Sequence, residues 1–305
     1  MNRSSKTVIA VVGPTAVGKT AMAIQLAQRF QTQILSADSR QCFQELTIGV
    51  ARPTQEELKA VPHHFIASHS IQLSFTASDY ETYALGVASD IFAQKDHLVL
   101  AGGTGLYIHA FMNGLDPVPA VDANIRTEVM KIHQERGVGG LEAELQLLDP
   151  AFAEKGEMKN PQRMMRALEV VKATGKSILS YRSGVSKERD FAVKWVGLEL
   201  PRAELVQRID HRVDAMIEAG WLEEARSVYP FRQANALQTV GYKELFDHLE
   251  GKCSLKEAID LIKIATRQYA KRQMTWFKKN PEIRWFAPDQ ENEIIRYLSE
   301  DGQLN

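Results

Sequence analysis

Thr7-Val8-Ile9-Ala10-Val11-Val12 is followed directly by Gly13-Pro14-Thr15-Ala16-Val17-Gly18-Lys19-Thr20. The first six residues form an uninterrupted, mostly β-branched run, which is typical of a strand buried on both faces of a parallel sheet. The next eight match G-x-x-x-x-G-K-[ST], in which glycines let the backbone wrap an anion while N–H groups and a helix N-terminus point at phosphate oxygens. This stretch predicts an α/β domain that binds a di- or triphosphate.

The same order of strand, turn and helix recurs further along the chain. Residues 33–37 predict a second strand that ends in Asp38-Ser39. Residues 97–101 predict a third, which runs into Gly102-Gly103-Thr104-Gly105 and then a helix from Leu106. Strands alternating with helices in this way indicate a doubly wound parallel sheet.

A helical insertion interrupts this pattern after Pro117 and Pro119, which fit neither a helix interior nor a central strand. The pattern is helical from 121 to 184, with segments at 123–135, 140–148 and 161–174, and returns to a strand at 192–198, which we take as the last of the sheet. We therefore predict a P-loop core domain (1–116 and 190–305) with an inserted all-helical domain (117–189). C-terminal helices follow at 202–219, 222–228 and 255–279, and a polar tail begins at Asp289.

Composition excludes several classes of protein. The 305 residues are 44% hydrophobic and 25% charged, and the net charge is -1, so neither global disorder nor a fibrous fold is indicated. Cys42 and Cys253 are the only cysteines, too few for a disulfide framework or a Cys-rich zinc site. No apolar run approaches the ~20 residues of a spanning helix. We expect a cytoplasmic monomer.

The phosphate loop suggests specific roles for its polar residues. Lys19 supplies positive charge to the outer phosphates, and the Thr20 hydroxyl most simply binds a phosphate-bound Mg²⁺. An ATPase or GTPase also needs an acid at the end of a neighbouring apolar strand, but residues 98–101 run into glycines. The available acid is Asp38, on a different strand. These residues leave open a small-molecule kinase or another reaction that handles a diphosphate.

Eight further motifs follow the phosphate loop in a specific order: 36–41, 48–53, 61–64, 101–107, 160–163, 166–169, 239–243 and 266–276. Together they resemble the tRNA dimethylallyltransferases, also called tRNA isopentenyltransferases, over about residues 7–280. Cys42-Phe43, Val50 and Arg52 depart from the family pattern near its RNA-contact loop. The resemblance implies transfer of a dimethylallyl group from dimethylallyl diphosphate to N6 of adenosine 37 in the tRNA anticodon loop, with Mg²⁺ as cofactor and release of diphosphate.

The resemblance also implies a set of catalytic and diphosphate-binding residues. Asp38 matches the family's general base, although such an acid could also cap a helix or hold Mg²⁺. Arg208 and Arg212 lie four apart on one helical face; Arg212 is the better candidate for the diphosphate, and a solvated face is the alternative. The catalytic set is Asp38, Thr15, Lys19 and Arg212; the diphosphate-binding set is Gly13, Pro14, Thr15, Ala16, Val17, Gly18, Lys19, Thr20, Arg208 and Arg212.

Two basic stretches point to a nucleic-acid partner despite the balanced total charge. Residues 158–189 carry eight basic and two acidic side chains, and residues 256–280 carry seven and two. Each could follow a phosphate backbone, although basic helices can also be merely solvated. The expected tRNA-binding residues are Asp38, Ser39, Arg40, Gln41, Thr104, Arg126, Gln162, Arg163, Met164, Met165, Arg166, Lys271 and Arg272. Thr104 resembles the residue that touches the target nucleotide, with a helix N-cap as its alternative role.

The flipped adenine is expected to enter from the side of Asp38–Gln41, and the donor from the side of the phosphate loop. His63 and His64 have no ligand-spaced partners and are interpreted as structural or RNA-adjacent. A small-molecule kinase, prenyl transfer to a free adenine nucleotide and a non-catalytic RNA-binding module remain alternatives. The first two do not explain the basic stretches, and the intact phosphate loop with Asp38 argues against the third.

Overall fold

A computed structural model of the chain describes residues 6–299. Its central sheet has six strands in the order β3-β2-β4-β1-β5-β6, and every neighbouring pair is parallel. The strands are β1 (Thr7–Val12), β2 (Ile34–Ser36), β3 (His63–His64), β4 (His97–Ala101), β5 (Ala192–Leu198) and β6 (Arg284–Phe286). The predicted doubly wound α/β class is confirmed.

The described residues divide into two compact units. The sheet unit comprises residues 6–113 and 188–299, and the helical unit is Gly114–Lys187; the proposed domain ends at residues 1 and 305 lie outside the described residues. The helices of the sheet unit are α1 (Lys19–Arg29), α2 (Gln55–Ala60), α3 (Ala77–Phe92), α4 (Gly105–Asn113), α8 (Arg202–Glu218), α9 (Trp221–Val228), α10 (Tyr242–Leu249), α11 (Leu255–Phe277) and α12 (Glu291–Ser299). The helical unit contains α5 (Ala123–Leu148), α6 (Pro150–Lys155) and α7 (Pro161–Thr174).

Strand β1 lies at the centre of the sheet and is buried along its whole length. Ile9 and Val11 face a core shared with α1 and α12. Val8, Ala10 and Val12 face the opposite core, which is shared with α3, α4 and the helices from α8 to α11. Alternate side chains therefore meet helices on both faces, which explains why the strand is continuously apolar instead of alternating.

The C-terminal part of the sheet unit corrects two sequence predictions. Strand β5 is not the last strand, because β6 pairs with it in parallel, Val196 opposite Arg284. The segment after Asp289 is not only a polar tail: α12 buries Ile294 and Leu298 completely, while residues 300–305 lie outside the described part. Strand β6 has only three residues and begins with arginine, so it carries too weak a periodic signal to be recognised. Helix α12 does have helical spacing, with Ile294, Ile295 and Leu298 on one side, which the acidic composition of the segment obscured.

The helical unit has a core of its own, formed mainly by Val129, Leu141, Leu145, Phe152, Met164, Ala167, Leu168 and Val171. The two predicted segments 123–135 and 140–148 form α5, which Gly137 interrupts with a left-handed φ of 63°. Helix α7 has the predicted bounds because its signals are local: the Asn160 side chain accepts hydrogen bonds from the backbone of Gln162 and Arg163, and Gly175 ends the helix in the left-handed region. None of the helices between residues 6 and 299 is long and apolar enough to cross a membrane.

Candidate active site

The phosphate loop joins β1 to α1 in a backbone conformation that depends on glycine. Gly13 has φ 145° and Gly18 has φ 108°, and a Cβ on Gly13 would lie 2.5 Å from the Leu198 carbonyl oxygen at the end of β5. Helix α1 begins at Lys19 with neither a side-chain cap nor an acidic residue in its first turn. Its first N–H groups and its dipole therefore suit an anion in the loop.

Lys19 turns back onto this loop. Its Nζ donates hydrogen bonds to the carbonyl oxygens of Gly13 at 3.0 Å and Pro14 at 2.7 Å. Burial of the ammonium group lowers the pKa of Lys19 to about 7; Asp38 opposes this shift, and the like charge of Arg212 adds to it. The three charged groups are thus electrostatically coupled at one place.

A cavity of about 440 Å³ lies beside the phosphate loop, within the usual size range of small-ligand sites. Five parts of the sheet unit supply its polar lining: the loop and the start of α1, the carboxyl end of β2 with the turn after it, α2, β3, and one face of α8. The polar and charged residues are Thr15, Lys19, Thr20, Ser36, Asp38, Gln41, Glu57, His63, Arg208 and Arg212. Residues predicted separately for diphosphate binding and for base contact thus line a single cavity.

Asp38 is held by the turn that follows β2. Its Oδ1 accepts hydrogen bonds from the backbone N–H groups of Arg40 at 2.8 Å and Gln41 at 3.3 Å, and its own N–H donates to Ser36 Oγ. Within residues 6–299 no hydrogen-bond donor contacts Oδ2. The carboxylate is therefore oriented through one oxygen and has the other available, rather than capping a helix.

The Thr104 hydroxyl bonds Ser39 and not the first turn of α4. The Ser39 N–H donates to Thr104 Oγ1 at 3.0 Å, and Thr104 donates from Oγ1 to the Ser39 hydroxyl at 3.3 Å. Gly102 makes this approach possible, because a Cβ there would overlap the Ala37 carbonyl oxygen. The glycine turn after β4 therefore packs directly against the segment that carries Asp38.

Gln273, which is not among the site residues predicted from the sequence, connects two parts of the site. Its Oε1 accepts a hydrogen bond from the Thr15 N–H at 2.8 Å, and its Nε2 donates to the Gly103 carbonyl oxygen at 3.0 Å. The side chain is only 6% exposed. The sole sequence signal for it was its place in the motif 266–276.

The two candidate arginines differ in their surroundings. Arg212 is half-buried, and burial lowers its pKa while Asp38 and Glu57 oppose the shift. Arg208 is exposed and forms an ion pair with Glu204 on the same helix at 2.8 Å. Both line the cavity, but Arg212 is the one coupled to the charges of the site.

In the sheet unit, the residues predicted to contact tRNA lie in the turn after β2, in the turn after β4 and on α11. Arg40 Nη1 donates to the Asn235 carbonyl oxygen at 3.0 Å, and the Gln41 side chain bonds the backbone of residues 50 and 51. Lys271 and Arg272 are exposed on α11 and form no ion pair with any residue between 6 and 299. Other cations of the same basic stretch are paired, Lys263 with Asp214 and Arg267 with Asp210.

In the helical unit, the predicted residues gather near the start of α7. Gln162 and Arg163 are exposed, Met165 and Arg166 are half-buried, and Arg126 reaches from α5 to within 3.9 Å of Glu169, which also pairs with Arg166. Met164 is fully buried in the core of the unit, so its predicted contact with tRNA is wrong for the side chain. A methionine on the inner face of an amphipathic helix supplies core contacts instead.

A parallel sheet with a glycine loop after β1 and a charged cavity near the carboxyl ends of its strands is the arrangement in which open α/β enzymes bind their ligands. Residues 41–280 match the family model described as IPP transferase. The chain is 46% identical over 295 residues to tRNA dimethylallyltransferase 1 of Bacteroides fragilis (strain YCH46), covering 97% of this chain and 98% of that protein. The chain belongs to the tRNA dimethylallyltransferase family, and it is a prenyltransferase enzyme.

Solved structures agree with this assignment. The chain is 35% identical to the full-length tRNA isopentenylpyrophosphate transferase from Bacillus halodurans, with a TM-score of 0.72 and coverage of 98% of this chain and 97% of that chain. It is 25% identical to a eukaryotic dimethylallyltransferase described as acting on tRNA, with a TM-score of 0.76 and coverage of 97% and 77%. A small-molecule kinase and a non-catalytic RNA-binding module are therefore excluded as functions of this chain.

Proposed function

We propose that this protein transfers the dimethylallyl group of dimethylallyl diphosphate to N6 of adenosine 37 in the tRNA anticodon loop, and that Asp38 is the general base. The observation that carries the proposal is that Asp38 and the phosphate loop line one cavity, with Lys19 and Arg212 beside them. A diphosphate leaving group and a proton acceptor are the two components that this transfer requires.

On the donor side, the phosphate loop binds the diphosphate of the substrate. The bond between the allylic carbon and oxygen breaks with its electron pair remaining on the diphosphate, so negative charge grows there. Backbone N–H groups of residues 16–20, the Lys19 ammonium and the Arg212 guanidinium are preorganised donors for that charge, and Thr15, whose own N–H donates to Gln273, lines the same wall. Stabilisation of developing charge is usually the largest catalytic contribution.

The Thr20 hydroxyl fits a Mg²⁺ ion that is shared with the diphosphate. It lies in the first turn of α1 and lines the cavity next to Lys19. Mg²⁺ commonly takes one or two protein oxygens together with substrate phosphate oxygens and water. When bound, the ion would neutralise part of the diphosphate charge.

On the acceptor side, the N6 amine of adenine attacks the allylic carbon. As the new C–N bond forms, the nitrogen loses a proton, which the Oδ2 atom of Asp38 accepts and later returns to solvent. A base within hydrogen-bond reach is needed because an exocyclic aromatic amine is a weak nucleophile. Thr104 and Gln41 are placed by the same turn contacts and are proposed to bind the target nucleotide.

Recognition of the tRNA is proposed to involve both units. Lys271 and Arg272 on α11 would contact phosphates, as would Gln162, Arg163, Arg166 and Arg126 on the helical unit. The target adenine must leave its stack to reach Asp38. We propose that the enzyme works as a monomer and that it acts in the cytoplasm, where its tRNA substrate is available.

One experiment tests the transfer directly. The protein is incubated with dimethylallyl diphosphate, Mg²⁺ and an unmodified tRNA that carries adenosines at positions 36 and 37, and the tRNA is analysed by mass spectrometry after nuclease digestion. A gain of one dimethylallyl group on adenosine 37 is expected, with none on a matched tRNA that carries guanosine at 37. Transfer only to AMP or ADP, or consumption of ATP in place of the diphosphate, would overturn the proposal.

A further inference from the structure

The carboxylate of Glu224, which lies outside the cavity, accepts hydrogen bonds from the backbone of the loop at residues 47–49. Oε2 of Glu224, on α9, accepts hydrogen bonds from the backbone N–H groups of Thr47 at 2.7 Å and Ile48 at 2.8 Å. Oε1 accepts from the N–H of Gly49 at 2.9 Å and from the Tyr242 hydroxyl at 2.6 Å. Four donors from two distant segments of the chain thus meet on one half-buried side chain.

The packing around Glu224 allows only glycine at two places. A Cβ on Gly49 would overlap the indole of Trp221 and lie 2.7 Å from the Tyr242 hydroxyl, and a Cβ on Gly241 would overlap the same indole. Trp221 is 3% exposed and begins the helix that carries Glu224. The backbone of Gly49 therefore packs directly against the Trp221 indole, and this contact keeps the Gly49 N–H within hydrogen-bond distance of the Glu224 carboxylate.

The loop formed by residues 47–51 continues from this anchor to the cavity. The carbonyl oxygens of Val50 and Ala51 accept hydrogen bonds from Gln41 Nε2 at 3.3 and 2.9 Å. The Gln41 N–H in turn donates to Asp38 Oδ1, and both Val50 and Gln41 line the cavity. Three hydrogen-bonded links, through the 47–51 loop and Gln41, therefore connect Glu224 with the carboxylate of Asp38.

The electrostatics suit a permanent anchor. Burial and the neighbouring Glu224 carboxylate raise the pKa of Tyr242, so its hydroxyl remains protonated and donates. Hydrogen bonds to an ionised acceptor are stronger than neutral ones. At the other end of the same segment, Arg52 donates to the carbonyl oxygens of Phe43, Gln44 and Leu46, which fixes the preceding turn.

We propose that Glu224 is a positioning residue for the acceptor half of the reaction: it holds the 47–51 loop so that Gln41 and Asp38 keep the geometry that the target adenine requires. This inference rests on the proposed function, because it assigns the Asp38 side of the cavity to adenine. Within residues 6–299, Glu224 forms no hydrogen bond or ion pair with the phosphate loop, and α9 buries Trp221, Ala225 and Val228. Its loss should therefore affect the acceptor and leave diphosphate binding intact.

The test compares Glu224→Gln with Glu223→Gln. The first substitution keeps the size of the side chain but removes the charge and turns an amide NH₂ group toward N–H or O–H donors. Glu223 is the adjacent exposed residue, and its one side-chain ion pair within residues 6–299 is with Arg226 at 3.9 Å. For Glu224→Gln, kcat/KM for tRNA should fall about tenfold to hundredfold, as expected for a misplaced reacting group, while the Kd of inorganic diphosphate measured by calorimetry stays at the wild-type value. Glu223→Gln should match the wild type in both measurements.

Two further variants separate positioning from a general folding role. Gln41→Ala combined with Glu224→Gln should lose little more activity than the more damaged single variant, because both act through one hydrogen-bonded chain. Tyr242→Phe removes one of the four donors and should cost roughly threefold to tenfold in kcat/KM for tRNA; it carries the test if Glu224→Gln does not fold.

Three results would overturn the inference: wild-type kcat/KM for tRNA in Glu224→Gln, a matching loss of diphosphate affinity, or full additivity with Gln41→Ala. If the wild-type protein itself transfers nothing to tRNA, the proposed function fails as well. If the wild type transfers normally and only these variants behave otherwise, the failure belongs to the positioning role alone.

Discussion

Gln273 accepts a hydrogen bond at 2.8 Å from the backbone N–H of Thr15, which lies 258 residues earlier in the chain. The other end of the same amide donates to the Gly103 carbonyl oxygen, so α11 connects the phosphate loop to the turn that carries Thr104. The donor side and the acceptor side of the cavity therefore have one common support, and a change at Gln273 reaches both.

Gly103→Ala tests this support from the glycine side. A Cβ at residue 103 would overlap Gln273 Nε2, so the amide must move and leave buried backbone groups without partners. We expect the free energy of unfolding to fall by about 1–3 kcal/mol, together with losses in both diphosphate affinity and kcat for tRNA. Urea unfolding and calorimetry measure these effects.

The matched control for that change is Gly86→Ala in α3, where an added Cβ would meet no atom within 4 Å. It should be neutral or slightly stabilising, because alanine favours a helix interior over glycine. Gln273→Leu combined with Gly103→Ala should show strong non-additivity. Independent, additive effects would argue against a shared support.

Asp38→Asn should abolish transfer while leaving tRNA binding nearly unchanged. The asparagine carbonyl can still accept from the N–H groups of Arg40 and Gln41, so the turn is kept, but the amide cannot take the N6 proton. A loss of about 10²–10⁴-fold in the single-turnover rate is expected, with the tRNA Kd from filter binding within twofold. A variant that retains the wild-type rate would remove Asp38 as the base.

Diphosphate binding should take up a proton above neutral pH. Burial lowers the pKa of Lys19 to about 7 in the protein without ligand, so above pH 7 the side chain is mostly neutral, and an anion bound beside it restores the charge. At pH 8, calorimetry of inorganic diphosphate in buffers of different ionisation enthalpy should give a proton uptake that is larger for the wild type than for Lys19→Met. At pH 6, where Lys19 is already charged, the two should agree.

Lys59→Met is the control for this measurement, since Lys59 is exposed and does not line the cavity. Its proton uptake should equal that of the wild type at both pH values. The protonation of diphosphate itself contributes equally to all three proteins and cancels in the comparison. Equal uptake in wild type and Lys19→Met at pH 8 would mean that Lys19 stays charged without a ligand.

Lys271→Ala and Arg272→Ala should each weaken tRNA binding and reduce the slope of log Kobs against log salt by about 1, as expected for loss of one phosphate contact. Lys256→Ala, at the opposite end of α11 and also exposed, should leave the slope unchanged. Fluorescence anisotropy at several salt concentrations provides the slopes. If all three variants weaken tRNA binding by the same amount, α11 attracts tRNA through its overall positive charge and not through phosphate contacts of Lys271 and Arg272.

The phosphate loop and α7 could be predicted because their signals are local. A continuous β-branched strand, a glycine loop and a helix start follow one another within residues 7–20, while Asn160, Pro161 and Gly175 mark the two ends of α7. The doubly wound class followed from repetition of the same order. The basic stretches could also be recognised in the sequence, although in the structure Lys263 forms an ion pair with Asp214 and Arg267 forms one with Asp210.

Other features of the site depend on contacts between residues far apart in the chain. In the sequence, Glu224 is one of several charged residues on a short helix. Its contact with the 47–51 loop is possible because Gly49 and Gly241 have no side chain that would overlap Trp221. Met164 fell in a family-like motif, yet the inner face of α7 buries it. Glu224 has no periodic or short-range sequence signal, whereas the burial of Met164 follows the helical spacing that it shares with Ala167, Leu168 and Val171.

By itself, the sequence determined the type of each strongly patterned element, the phosphate loop and the family, because backbone period, capping and glycine chemistry act over a few residues. Only the tertiary structure decided which side chains accept hydrogen bonds from the backbone of the site. Gln273 accepts one from Thr15, Thr104 accepts one from Ser39, and Glu224 accepts those of residues 47–49. The physical reason is that a buried polar group must find a partner wherever the packed chain offers one, and that partner can come from any distance along the sequence.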